Sequence, residues 1–522
     1  MCIIGILRDE KVTMKIERTK NTVRNMFWGY ISKMIGILLP FVFRTVIIKL
    51  LGAEYLGINS LFNSILQVLN LTELGFGTAV VYSMYKPIAE NNAEEICALL
   101  KYYKKVYVLV GIFVLSLGTL LLPVIPYLIF GHYPDEINLY FVFYMFLINT
   151  AISYFLFGYR SSLLNAFQRN DLESKVEIIV SLFRYTFEII GIYVTKKYYL
   201  FLGLEIIFTI FSNFLKYVYA KKYFPEYNPI GSLDYKQKRE IRDNVFALMC
   251  HKIGGTVLNS ADNIVLSSFM GVVIVSNYGN YYYIMNAVEK IIMICFVGMT
   301  AGIGNSFLTE TVEKNRDDFK KVLFMNAWIV GWCSVCFVCL YQDFMKLWVG
   351  EEYMLNNQIM LLIVFYFFIH GIRRTIIVFR DGAGMWQDNK WQPILSAIFN
   401  ILVNIILVQV IGLAGILISS IASMIIIDIP WESHAFCKRI EMNGLEYLKA
   451  LIIYFIVTAM TTSIVVASTY SFDFSLIINL ILKSCFCIVI PNIIFWTIYR
   501  KKAEYLYFQS LIKGYLKSMM HS

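Results

Sequence analysis

Residues 250–271 read CHKIGGTVLNSADNIVLSSFMG. The run is apolar enough for a bilayer, yet it carries Lys252, Asn259, Asp262 and Asn263. Other apolar runs carry Lys33, Arg44, Glu73, Arg184 and Lys290. A charge at bilayer depth costs roughly 3 kcal/mol, so such groups are expected to face a cavity or a partner. The cations are candidates for the wall of a substrate cavity. The carboxylates Asp262 and Glu73 are candidates for coupling to a proton or sodium gradient.

Spacing sharpens these expectations. Lys252, Asn259 and Asn263 are 7 and 11 residues apart, which at about 100° per residue puts all three within about 20° of one line. Asp262 is one position off that line. A polar stripe along a spanning helix is not stable against lipid, so it faces a cavity or a neighbouring helix. The plainer alternative is interhelical hydrogen bonding, worth about 0.6–2 kcal/mol per contact. Lys33 and Arg44 share one helical face, being eleven residues or about 1,100° apart, and both are near enough to a membrane edge to snorkel. Arg184 and Lys290 lie nearest mid-membrane. Arg184 has Glu177 at i−7 and Glu188 at i+4 on its own face, so an intrahelical ion pair is its alternative. His251, His370, Arg373 and Arg374 are expected near the cytoplasmic mouth. Cys333, Cys336 and Cys339 are spaced like metal ligands, but they lie within WIVGWCSVCFVCLY without the turns a zinc site uses. They read as small apolar packing residues.

The elements that must position these groups are membrane helices. Of the 522 residues, 58% are hydrophobic and 16% charged, against about 45–50% and about 25% in soluble domains. The excess falls in blocks of roughly 20 residues, the length that crosses a hydrocarbon core. Fourteen spans are expected, near 27–49, 56–82, 106–130, 138–159, 176–195, 198–219, 245–269, 275–301, 322–341, 356–378, 392–410, 413–431, 447–468 and 474–498. With the N-terminus inside, the inward segments hold 36 of the 46 lysines and arginines and the outward ones only Lys49, Lys196, Lys197 and Lys346. That bias fixes an orientation with both termini cytoplasmic. The net charge of +10 is then an orientation signal and no sign of nucleic acid. No cleavable signal peptide is read in MCIIGIL, and Met14 is an alternative start. The loops are short, so chemistry belongs within the bundle.

A shift of 219 residues lays 25–52 over 244–271 with seven of 28 positions identical, among them Asn25/Asn244, Lys33/Lys252, Gly36/Gly255 and Gly52/Gly271. The expected organisation is a six-helix half (1–222), a cytoplasmic hinge linker (223–240), a second six-helix half (241–440), and two extra helices with a tail (441–522). Parallel halves with a substrate site between them are a recurring transporter plan.

Several strings carry a resemblance: LLGAEYLGINSLFNSILQVLNLTELGFGTAVVYSMYKPIAE, ADNIVLSSFMG, SNYGNYYYIMNAV, GIGNSFLTE, FMKLWVGEEYML and FRDGAGMWQDNKWQPILSAIFNILVNIILV. Together they resemble the bacterial polysaccharide (oligosaccharide-lipid) flippases, relatives of the multidrug and toxin extrusion transporters and lipid II flippases. The resemblance implies an all-α polytopic fold of that type in the bacterial cytoplasmic membrane. It also implies transfer of an undecaprenyl-diphosphate-linked oligosaccharide to the outer face, with a polysaccharide polymerase and glycosyltransferases as candidate partners and no cofactor. The cavity cations would hold the diphosphate. A multidrug or cation antiporter of the same fold would want an acidic cavity, whereas cations outnumber carboxylates in these spans. A membrane-embedded polymerase or ligase would need a large outward loop. No G-x-x-x-x-G-K-[ST] loop is present, so ATP hydrolysis is not expected.

Overall fold

The computed structural model describes residues 18–70, 76–385, 391–472 and 474–510. Among them the chain is helical with no strand. Lipid offers no hydrogen-bond partner to the backbone, and a helix satisfies its own. Ten helices are long and apolar enough to cross a membrane, or eleven if one bent pair is a single span. This is a multi-pass membrane protein.

The chain forms two compact units. The first comprises Met1–Tyr55, Phe62–Tyr127 and Pro134–Ile253. It contains α1 (Arg18–Leu50), most of α2 (Ala53–Leu69), α3 (Phe76–Ala89), α4 (Ala93–Leu121), α5 (Leu139–Phe155), α6 (Ser161–Ala166), α7 (Asn170–Thr195) and α8 (Tyr198–Tyr223). Here α1 packs on α7, α7 on α8, and α4 on α5. The expected span 138–159 is bent by 49° where α5 gives way to Gly158–Ala166.

The second unit comprises Leu56–Leu61, Leu128–Tyr133 and Gly254–Ser522. It holds the C-terminal part of α9 (Tyr235–Met270), then α10 (Val272–Thr309), α11 (Val312–Trp348), α12 (Asn357–Gly382), α13 (Gln392–Ile411), α14 (Leu413–Ser423) and α15 (Ile429–Arg439). A π-helical turn, Met424–Asp428, joins the last two. The extra helices α16 (Gly444–Thr469) and α17 (Leu476–Tyr499) pack on α11. Trp328 donates to Asn492 at 2.9 Å, Trp332 to the Cys487 carbonyl at 2.8 Å, and Lys483 to Asp343 at 2.6 Å. Cys339 and Cys487 sit in an apolar cluster with Val335 and Val465.

Helix starts are marked by local chemistry. Asn92, Asn138, Thr311, Asn356 and Asn443 each accept from a backbone N–H in the first turn of the helix that follows, which satisfies a donor the helix leaves orphaned. The repeat pair Gly52 and Gly271 take the same role. Each breaks the chain between two long helices at positive φ, 115° and 86°, where a side chain would be strained.

The segment expected as a hinge linker is docked on the first unit. Phe224 stacks on Phe167 with centroids 4.4 Å apart, Arg160 donates to the Tyr227 carbonyl at 2.7 Å, and Gln237 donates to Glu95 at 2.8 Å. Burial pushes the Tyr227 phenol up to about 12, so it stays neutral at any physiological pH. The units divide later, within α9, between Ile253 and Gly254.

Candidate functional site

In the second unit, α9 comes against α13 at Gly254, where a Cβ would lie 2.6 Å from the Pro393 carbonyl carbon. Only a glycine allows that approach. Two turns further along, Asp262 meets α13 and α14. Asn404 donates to its Oδ1 at 2.7 Å and Ser420 to its Oδ2 at 3.2 Å. Asn404 also donates to Asn400 at 3.2 Å, Asn400 donates to Ser420 at 2.9 Å, and Ser419 donates to Asn404. Asn400, Asn404 and Ser419 are fully buried. Four polar side chains from α13 and α14 thus form a connected cluster around one carboxylate of α9. Asn400 and Asn404 were legible in FNILVNII as an i, i+4 pair, the spacing that puts two side chains on one helix face.

Asn263, the described member of the α9 stripe, is half-buried. The side chains of Lys252, Asn259 and His251, and all of Glu73, lie outside the described residues.

Arg184 in the first unit sits 3.6 Å from Glu188 on its own helix and 3.9 Å from Glu205 on α8. Its guanidinium also lies over the Tyr185 ring, 4.4 Å from the centroid. It is therefore engaged by two carboxylates. Glu205, a lone carboxylate in LGLEIIF, is the partner that the helical spacing of α7 could not supply. Glu177 has a different role: it accepts from Ser32 of α1 at 3.1 Å and pairs with Lys216 of α8 at 3.8 Å. Nearly two turns nearer the helix start, the fully buried Asp171 is held by Arg24 at 3.2 Å, Arg169 at 3.0 Å and Lys175 at 3.6 Å.

Lys33 on α1 and Lys290 on α10 are both exposed, each on a different unit. Neither has an ion-pair partner among the described residues. Arg44 is half-buried.

The basic group on α12 divides into two. Arg373 is buried and bidentate to Glu432, at 3.1 and 2.8 Å, with Asp428 at 2.9 Å. Gln392 also donates to Asp428. This network braces the π-helical turn. His370 lies half-way along α12, further from the helix end than a mouth position would be, and its Nδ1 is 2.9 Å from Glu289 of α10.

These features define a class: an all-helical, multi-pass membrane protein with intramembrane charges held by interhelical polar clusters. Residues 22–300, more than half of the 522, match the family model described as polysaccharide biosynthesis protein. The chain belongs to that family. Its fold is shared with a lipid II flippase, MurJ, in an inward closed conformation, with TM-score 0.65, 14% identity, and 92% of this chain and 99% of that one covered. An inward-facing multidrug resistance MATE transporter gives TM-score 0.59 at 13% identity, covering 79% and 94%. A transporter of the same superfamily from Pyrococcus furiosus gives 0.54 at 14%, covering 85% and 99%. At these identities the likeness is one of fold. A search of curated protein sequences found no match.

Proposed function

We infer that the protein moves a polyprenyl-diphosphate-linked oligosaccharide from the inner to the outer face of the bacterial cytoplasmic membrane, by alternating access, for surface polysaccharide synthesis. The observation that carries this reading, beside family membership, is that Lys33 and Lys290 are exposed ammonium groups near the middle of the long helices α1 and α10. An ammonium at that depth is stable only facing water or an anion, and a diphosphate is the anion this family's chemistry supplies. Arg44 adds a third cation on the Lys33 face. Asp262 is the residue through which a proton or sodium gradient would drive the cycle. The fourteen-span topology with cytoplasmic termini belongs to the same reading, as do a polymerase and glycosyltransferases as partners. An antiporter for organic cations is disfavoured, because the carboxylates Glu188, Glu205 and Glu177 are engaged by Arg184 and Lys216.

The test is genetic. A deletion strain should lose surface glycan while lipid-linked repeat units accumulate on the cytoplasmic side. Normal surface glycan in a strain with no second transporter would sink the reading.

A further inference from the structure

A groove of about 1330 Å³ lies within the second unit, between α13 and α15. One wall is α13, where Leu395, Ile398, Phe399 and Leu402 line it at the i, i+3, i+4 and i+7 spacing of a single helix face. The other wall is α15, which offers Trp431, His434, Ala435 and Lys438, with Arg439 beside them. Ile426 of the π-helical turn lines the end away from Lys438.

The two faces of α15 have different work. Its inward face is held in the bundle: Glu432 is bound by Arg373, and Ser433, Phe436 and Cys437 are buried. Its groove face carries the exposed Trp431, His434, Lys438 and Arg439, with the small Ala435 between them. On the facing wall Leu395, Ile398 and Leu402 are exposed as well. α13 packs on α14 and on the π-helical turn, and the groove opens beyond that turn. Such turns are frequent at functional sites.

The height and the charge of the groove say what it fits. From Ile426 to Lys438 is twelve residues, about 18 Å of helix at about 1.5 Å per residue. One leaflet of a bilayer is about half of its roughly 30 Å hydrocarbon core. The groove is therefore about one leaflet tall, apolar along its length and cationic at one end. By the lysine and arginine bias that end is cytoplasmic. Lys438 and Arg439 have no ion-pair partner among the described residues. Glu441 is the one carboxylate among the described lining residues, and its backbone carbonyl accepts from Arg316 at 3.1 Å, which brings a further cation to the mouth.

We propose that this groove holds an anionic glycerophospholipid of the cytoplasmic leaflet, with its phosphate on Lys438 and Arg439 and an acyl chain between α13 and α15. Lysine and arginine are both phosphate donors, and basic pockets between membrane helices on the cytoplasmic side hold anionic headgroups. An undecaprenyl chain is far longer than one leaflet, so the height of the groove favours a membrane phospholipid over a transported polyprenyl lipid. The bound lipid braces α15 from the side opposite the Arg373–Glu432 contact.

The test uses the full chain, purified in a neutral detergent and stripped of lipid. Phosphatidylglycerol and phosphatidylcholine with the same acyl chains are titrated in. Native mass spectrometry counts the bound lipids, and thermal denaturation reads their effect. The unaltered protein should bind one phosphatidylglycerol at least tenfold more tightly than phosphatidylcholine, and phosphatidylglycerol should raise the melting midpoint. Lys438→Ala with Arg439→Ala should lose the preference while melting like the parent without lipid, and Lys438→Arg should keep it. Ala435→Phe, or Ile398→Trp from the opposite wall, fills the groove without touching the charges and should weaken phosphatidylglycerol binding at least tenfold. Equal binding of the two phospholipids overturns the proposal, as does a preference unchanged in the double alanine variant. Undecaprenyl phosphate bound through Lys438 and Arg439, with phosphatidylglycerol unable to displace it, also overturns it and gives the groove to a polyprenyl lipid.

Discussion

Asn404 on α13 donates a 2.7 Å hydrogen bond to Asp262 on α9, and Ser420 on α14 donates a second. Both donors are neutral, and among the described residues no cation is paired with this carboxylate. Asp262→Asn should abolish glycan export in a complemented deletion strain at unchanged protein level. Export at the full rate would remove Asp262 from the coupling role. Asn404→Ala should lower export while keeping the fold.

Lys33 and Lys290 should act on substrate and not on stability. A hydrogen bond to a charged group is worth about 1.5–3 kcal/mol, so Lys33→Ala and Lys290→Ala should each lower export roughly tenfold or more, with thermal denaturation unchanged. Lys→Arg at either position should restore most of the rate. Full activity in both alanine variants would return these side chains to a structural role.

Arg184 should behave in the opposite way. Arg184→Ala leaves Glu188 and Glu205 facing each other in an apolar bundle. Removing one partner of a fully buried pair costs about 3–5 kcal/mol, and Arg184 is 25% exposed, so roughly 2 kcal/mol is expected. The midpoint of thermal denaturation in detergent should fall, and Glu188→Gln with Glu205→Gln in the Arg184→Ala background should recover it. An unchanged midpoint with lost export would assign Arg184 to the substrate.

Arg373 is bound more tightly still. Arg373→Met strands Asp428 and Glu432 beside the π-helical turn, for a loss of about 3–5 kcal/mol. The protein should be poorly expressed or melt well below the unaltered one. A melting curve like the parent's would mean the network contributes little.

The orientation can be read chemically. In a cysteine-free background, Lys196→Cys between α7 and α8 should react with an impermeant maleimide added to intact cells, whereas Lys236→Cys should react only after lysis. The reverse pattern would invert the topology.

The sequence by itself determined that this is a bundle of membrane helices, because spans of roughly 20 apolar residues and the lysine and arginine asymmetry are properties of composition and order alone. It also located Asp262 and the repeat, whose glycines 52 and 271 both take left-handed backbone. Periodicity reports which residues share a face of one helix, and so Glu188 was legible as a partner of Arg184. It says nothing about which helix lies opposite. Glu205 beside Arg184, Asn404 and Ser420 beside Asp262, and Glu289 beside His370 are pairings across helices between residues 21 or more apart in the chain. Only the packing of α7 on α8, α9 on α13 and α10 on α12 decided them, since an intramembrane charge takes whatever partner its neighbouring helix brings within about 4 Å.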